Sequence, residues 1–526
     1  MGQQKFNGFK RALGLKGATG PWGGLSQYGT ALAVVLGVVG VLVLVRAGRA
    51  RPDGPERPWR HHGPGALAPS TPTRSVATSP GLNAQFGISH ALVLANGTRE
   101  LYAELELTGV APASLGERPP LAVSIVLDRS GSMSGAKIVD AKRAVQRFVD
   151  GLADTDHVSL VIYDDVAEVL SPLGPVGASR ERIRSRIAGI YDRGSTNIAG
   201  GLALGARTLA EAPGNATKRV VLFSDGLDTT GTPQSVILNR LRADAERGVT
   251  ISALGIGTDY DSAFMSSVAE VGHGTYAYLG NSEMLASFVE KELAASTGTV
   301  VDRAVVTFAL PPGWSVRKAF GGTASGSRGS VTVPVGTLAR DSSRRVTLIL
   351  SVDAPRFGSA GAITAELDYR TVQDNEQHRV TTNALDVGTS LLSSAVDDSR
   401  DMVIWGRGEA LLMDERQQYA LQAWQEGRRD EARAEFTKQM ARAKDVAAAQ
   451  AKAGVAKEEL DYMDDLRADL ETGLGTVSSM DADSKVGRAR SLSFGAKSAA
   501  RKSSGAAAME APRPAAITTE SADGLY

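Results

Sequence analysis

The chain has 526 residues, of which 42% are hydrophobic and 22% charged, a globular composition with room for several cores. Its 58 lysines and arginines balance 58 aspartates and glutamates, so the net charge of +0 argues against nucleic-acid binding through a broad basic surface. With no cysteine, disulfides, thiolate metal sites and cysteine nucleophiles are excluded, and the six histidines form no HExxH pair for a catalytic zinc.

From Gly17 to Val45 there is no charged residue, and Thr30–Val45 reads TALAVVLGVVGVLVLV. With the flank from Leu25, and with Trp22 and Tyr28 as interface aromatics, the run reaches the roughly 20 residues that a spanning helix needs. It predicts an anchor within residues 1–45 and a single-pass protein of the cell membrane. A signal peptide cleaved after Ala47 is the alternative. Basic residues flank the run on both sides (Lys5, Lys10, Arg11 and Lys16 before it, Arg46, Arg49 and Arg51 after), so charge does not orient it. The expectation is the commoner arrangement, with the large C-terminal part extracytoplasmic. Residues 46–82 are rich in Pro, Arg, Ser and Thr and read as a flexible linker.

Residues 83–119 alternate strongly: Ile88, Leu92 and Leu94, then Leu101, Ala103, Leu105 and Leu107. Asn96-Gly97 between the two runs predicts a β-hairpin. Residues 120–296 repeat strand, loop and helix. Apolar runs LAVSIVL, HVSLVIY, RVVLFS and VTISALGI are separated by amphipathic stretches, one of which places Ile138, Ala141, Val145, Phe148, Val149 and Leu152 on one face. This alternation predicts an α/β fold, a doubly wound, mostly parallel sheet with helices on both faces. Residues 297–388 (VVTFAL, SVTVPV, RVTLILSV, AITAELDY) switch to period two and predict a β-sandwich, which the early hairpin joins. Residues 389–473 have helical spacing, and AWQEGRRDEARAEF resembles one helical hairpin of tetratricopeptide type. Residues 474–526, rich in Ser, Ala, Lys and Arg, read as a disordered tail.

Ligands of an open α/β sheet bind where loops leave the carboxyl ends of the strands. Three such loops carry matching chemistry. LDRSGSMSG presents Asp128, Ser130 and Ser132, DRGSTNIAGGL presents Thr196, and Asp225 follows VVLFS. Taken singly, each is also a common turn former or helix cap. Together, two carboxylates and three hydroxyls suit a hard divalent cation. Asp164, Asp165 and Asp228 are weaker candidates for a second cation and read as turn carboxylates, and His273 in VGHGTY reads as a loop residue.

The pattern D-x-S-x-S, a threonine after a glycine-bearing turn, then S-D-G after an apolar strand resembles the von Willebrand factor type A domain, in its membrane-anchored bacterial type, over about Leu121–Leu293. The resemblance implies a metal-ion-dependent adhesion site. In it Ser130 and Ser132 bind Mg²⁺ (or Mn²⁺ or Ca²⁺) directly, Thr196 directly or through water, and Asp128 and Asp225 mainly through water. It further implies a protein partner whose Glu or Asp carboxylate meets the metal, hence adhesion rather than catalysis. No nucleophile elbow, P-loop or dinucleotide fingerprint points to an enzyme. The alternative is an assembly scaffold that recruits partners through its helical C-terminal region.

Overall fold

The computed structural model describes residues 72–503, apart from the stretches 112–117, 226–227, 258–260, 280–281, 328 and 483. The chain opens with β1 (Arg74–Ser79), β2 (Leu82–Ile88), β3 (Leu92–Leu94) and β4 (Gly97–Gly109). The α/β unit follows, with β5 (Leu121–Asp128), α1 (Ala136–Asp150), β6 (His157–Tyr163), β7 (Ala167–Pro175), α2 (Val176–Ala188), α3 (Ile198–Thr208) and β8 (Thr217–Ser224). It is completed by α4 (Gln234–Glu246), β9 (Val249–Ile256), α5 (Ser262–Val271), β10 (His273–Leu279) and α6 (Ser282–Thr297). Its sheet runs β10-β9-β8-β5-β6-β7, parallel except at the β6–β7 edge. The central strand β5 is apolar on both faces because both are covered. Val123, Ile125 and Leu127 enter one core with Phe148 and Val149 of α1, and Ala122 and Val126 enter the other with Leu202 and Leu241. This is the doubly wound fold read from the sequence.

Two further sheets flank the unit in sequence: β11 (Thr299–Ala309), β12 (Trp314–Phe320), β13 (Ser325–Ser327), β14 (Ser330–Ala339), β15 (Ser343–Ala354), β16 (Ser359–Thr371), β17 (Gln377–Thr381) and β18 (Leu385–Ser390) supply the remaining strands. One sheet has the order β1-β2-β4-β15-β12 and the other β13-β14-β11-β16-β18-β3, with β17 on β16. Leu101, Leu105, Val346 and Leu350 from the first face Val306, Phe308, Val333 and Ile363 from the second in a single core, a sandwich that the α/β unit interrupts between β4 and β11.

The early hairpin pairs differently from expectation. Asn96 and Gly97 do turn with positive φ (58° and 118°), but β4 pairs antiparallel with β2, in the register Ile88↔Ala103, and on its other edge with β15. With both edges of β4 taken, Leu92–Leu94 crosses to the opposite sheet and pairs parallel with β18. The Asn-Gly turn is thus a corner between two sheets. The expected linker also ends early, since Arg74–Ser79 is already a strand on β2.

The helical region comprises α7 (Ser393–Asp398), α8 (Met402–Gln425), α9 (Arg429–Lys452), α10 (Lys457–Ser479) and α11 (Lys485–Ser503). Gly427, at φ 83°, turns α8 into α9, and Trp424, Phe436, Leu466 and Leu470 fill their shared core. Ile404 and Leu411 of α8 pack on Tyr102 and Ile349, on the outer face of the first sandwich sheet. The expected disorder after Gly473 is corrected up to Ser503. There α10 and α11 are helical, because Leu492 reaches the α/β core and Phe494 the helical core.

The localisation expectation is also corrected. Among the described residues no helix is long and apolar enough to cross a membrane, so the single-pass assignment is not supported. The Gly17–Val45 run and the end of the expected tail lie outside the described residues.

Candidate functional site

The strand order places β5 beside β8, and α1 after β5 and α4 after β8 pack into opposite cores, so the crevice expected of a doubly wound sheet falls at the carboxyl edge between them. Asp128 ends β5 at the bottom of this crevice, fully buried. Its Oδ1 accepts the Ser130 N–H at 2.8 Å, and its Oδ2 accepts the Ser224 hydroxyl at 2.7 Å and the Tyr163 hydroxyl at 3.1 Å. The Tyr163 ring fits because Gly201 faces it; a Cβ there would lie 2.5 Å from the ring. Burial pushes the Asp128 carboxyl up to about 6, against the hydrogen bonds from Ser224 and Ser130 that favour its charged form.

After Asp128 the loop rises through a short 3₁₀ turn, Gly131–Met133, pinned from below by the buried Met133. The Ser130 and Ser132 hydroxyls come to 3.0 Å of each other; Ser130 is buried and Ser132 is exposed at the mouth. Two backbone bonds fasten this loop to the one carrying Thr196, Gly131 N–H to Gly194 O at 3.0 Å and Arg193 N–H to Arg129 O at 2.7 Å. Thr196, itself buried, is held through its backbone to Thr229 in the loop after β8, with Thr196 N donating to the Thr229 hydroxyl at 2.8 Å and Thr229 N to Thr196 O at 3.0 Å. The three loops are therefore cross-tied by main-chain bonds, which brings all five sequence-derived positions to the same carboxyl edge of the sheet.

Asp225, immediately beyond β8, is fully buried. Its Oδ2 pairs with the Lys137 ammonium at 3.1 Å, while its Oδ1 is buried with no hydrogen-bond partner among the described residues. An unpaired buried carboxylate oxygen is costly unless something else takes it. An oxygen-only donor set around such an atom suits a hard divalent cation.

The secondary candidates separate. Asp164 is buried under Arg129 and Arg193, whose Nε atoms donate to its Oδ2 at 2.9 and 2.7 Å. Burial raises its pKa, but Arg193, the Val166 N–H and Arg129 outweigh that and hold the carboxyl below its ordinary range. It ties loops together. Asp165 is exposed and accepts from the Ser195 N–H at 2.8 Å. Asp228 Oδ1 accepts from the N–H and hydroxyl of Thr230, both at 2.7 Å, and its Oδ2 is buried without a partner among the described residues. His273 is no loop residue. It starts β10 at the opposite edge of the sheet, buried, at φ 54°, with its carbonyl accepting from Arg344 at 2.7 Å. Sequence reasoning missed Tyr163, Ser224 and Lys137. Ser224 adjoins Asp225 and Lys137 sits five residues after Ser132, but only the fold brings Tyr163 to Asp128.

Residues 123–291 match the family model described as the von Willebrand factor type A domain. Human inter-alpha-trypsin inhibitor heavy chain H4 is 31% identical over 169 residues, 30% of this chain and 18% of that protein. The uncharacterized protein YfbK of Escherichia coli is 26% identical over 203 residues, 38% of this chain and 35% of that protein. The match thus spans well under half the length of these relatives. Among solved structures, von Willebrand factor type A from Catenulispora acidiphila superposes with a TM-score of 0.59 at 21% identity, covering 73% of this chain and 91% of that one. The ArnB paralog VWA2 from Sulfolobus acidocaldarius gives 0.51 at 13% identity, covering 81% and 100%. The α/β unit therefore has the von Willebrand factor type A fold. The likeness to these two structures extends past it into the flanking sheets and helices.

Proposed function

We propose that this protein binds a protein partner through a divalent cation held by Asp128, Ser130, Ser132, Thr196 and Asp225, and that the partner contributes a Glu or Asp carboxylate. Von Willebrand factor type A domains generally mediate protein–protein interaction, which sets the class of function. The observation that carries the finer reading is the buried, unpartnered Oδ1 of Asp225 in a crevice lined otherwise by oxygen donors. Mg²⁺ fits best, with Mn²⁺ and Ca²⁺ as substitutes, because the donors are hard oxygens, few and mostly uncharged. Bound there, the ion supplies an electropositive position open to an anionic group. The buried Asp128 and Asp225 would balance its charge, the buried Ser130 and Thr196 would offer hydroxyls, and Ser132 is exposed. Neutral hydroxyls at the mouth leave net positive charge facing outward, which favours a carboxylate over a neutral side chain.

Binding is favoured over catalysis because both carboxylates are committed to holding charge, and the buried His273 lies at the far edge of the sheet. Affinity capture with the full chain tests the reading. Proteins retained by the wild type in Mg²⁺ should be released by chelator and not retained by Asp128→Ala. Retention agreeing within about twofold across all three conditions, a difference of only ~0.4 kcal/mol, would favour the scaffold reading through α8–α11 instead.

A further inference from the structure

We propose that Lys137 is a tethered competitor for the cation at this site, and that it sets how much divalent cation is needed to load it. The inference rests on the cation-site reading above and concerns a residue outside the five ligand positions.

Lys137 is the second residue of α1, and its ammonium lies 3.1 Å from Asp225 Oδ2. A lysine in the first turn of a helix gains nothing from the helix dipole, which favours anions there. No acidic residue occupies that turn to offset it. The stabilising contact is therefore the carboxylate. A second feature fixes the side chain's path. Gly257, just beyond β9 at φ 86°, leaves open the space through which the Lys137 stem runs; a Cβ at that position would lie 2.5 Å from Lys137 Cε. The stem is thus seated in a slot at the carboxyl edge of the sheet, with its side chain still 22% exposed.

Asp128 and Asp225 bring two negative charges into the crevice, and Lys137 already offsets one of them. A divalent cation near Asp225 and the ammonium would be like charges a few ångströms apart, and they would repel each other even at the screening typical of a protein surface. Loading therefore requires the ammonium to leave Asp225, which its partial exposure allows. The apparent affinity is lowered by the fraction of molecules in which it has left. The consequence is a site that fills at high cation concentration and empties readily. Asp225 is spared from being a bare buried charge when it is empty.

The test is calorimetric titration of the full chain with Mg²⁺ alone, comparing wild type, Lys137→Met, Lys137→Arg and Asp128→Ala. Lys137→Met keeps the stem and removes the charge, and it should tighten Mg²⁺ binding about tenfold. Lys137→Arg keeps the charge and should stay within about twofold of wild type, while Asp128→Ala should bind none. If wild type binds Mg²⁺ and Lys137→Met binds it no more tightly, the competitor assignment falls and the cation site stands. If Lys137→Arg tightens as much as Lys137→Met, charge competition is likewise refuted. Absence of saturable binding in both wild type and Lys137→Met, with cooperative thermal melts for each, would overturn both readings.

Discussion

Asp156 and Asp225 are two fully buried carboxylates at opposite edges of the same sheet, and they are finished differently. Asp156, just before β6, has both oxygens doubly satisfied. Arg118 donates to Oδ1 and Oδ2 at 2.8 and 2.7 Å, the Leu121 N–H to Oδ1 and the Ala153 N–H to Oδ2, each at 2.9 Å. Asp225 has one lysine on one oxygen and no partner on the other among the described residues. Burial costs both. At Asp156 the fold itself offsets that cost, so the residue holds the entrances to β5 and β6 together. At Asp225 the offset is incomplete, and the missing part is what a ligand can supply.

The largest expected effect breaks the closed side. Asp156→Ala leaves Arg118 and two amides without their acceptor and should destabilise the protein by about 3 kcal/mol, equally with and without Mg²⁺, in urea unfolding. Asp225→Ala should cost less than about 1 kcal/mol without metal, since a partly exposed lysine pair is all that it removes.

The open side should respond to cation instead. In Mg²⁺ at a hundred times its dissociation constant the wild type should gain about 2.7 kcal/mol, seen as a raised melting temperature, whereas Asp128→Ala and Asp225→Ala should gain nothing. A Mg²⁺-dependent shift that survives in Asp128→Ala would remove the site assignment.

pH sharpens the same contrast. Burial raises the Asp156 pKa, but the Arg118 hydrogen bonds and the Leu121 and Ala153 amides outweigh it and hold the carboxyl below its ordinary value. A depressed carboxyl contributes stability that is complete above its unfolded value, about 4, and is lost as pH falls through the folded value. The stability gap between wild type and Asp156→Asn should therefore be widest near neutrality and narrow below about pH 4, which unfolding at pH 7, 4 and 3 would record. A gap that stays constant with pH would mean that Asp156 is not the titrating anchor.

The smallest effect on folding is expected for Thr196→Ala. Its structural bonds run through its backbone to Thr229, so loss of the hydroxyl should cost under about 1 kcal/mol while weakening Mg²⁺-dependent partner retention more than twofold.

The sequence made the α/β unit legible because its strands are continuous apolar runs and its helices show single-faced periodicity. The five proposed ligand positions could be picked out because each falls at the carboxyl end of such a strand or in the turn before a helix. What stayed hidden depends on contacts distant in sequence. Nothing local to Leu92–Leu94 says that β2 and β15 already occupy β4, so its crossing to β18 could not be read from Asn96-Gly97. The α11 segment carries only Leu492 and Phe494 as large buried apolar residues, each matched to a different core, and composition alone made it look unstructured. Lys137 lies in the open sequence next to the motif, yet its role depends on Asp225, 88 residues away, and on the slot at Gly257.

Anomalous diffraction from crystals of the full chain grown with Mn²⁺ would test the central claim most directly. One strong peak is expected in the crevice, within coordination distance of the Ser130 and Ser132 hydroxyls, and it should be lost in Asp128→Ala. An empty crevice, or a peak only at Asp374, Glu376 and the half-buried His378 around the β16–β17 turn and the start of β17, would contradict it.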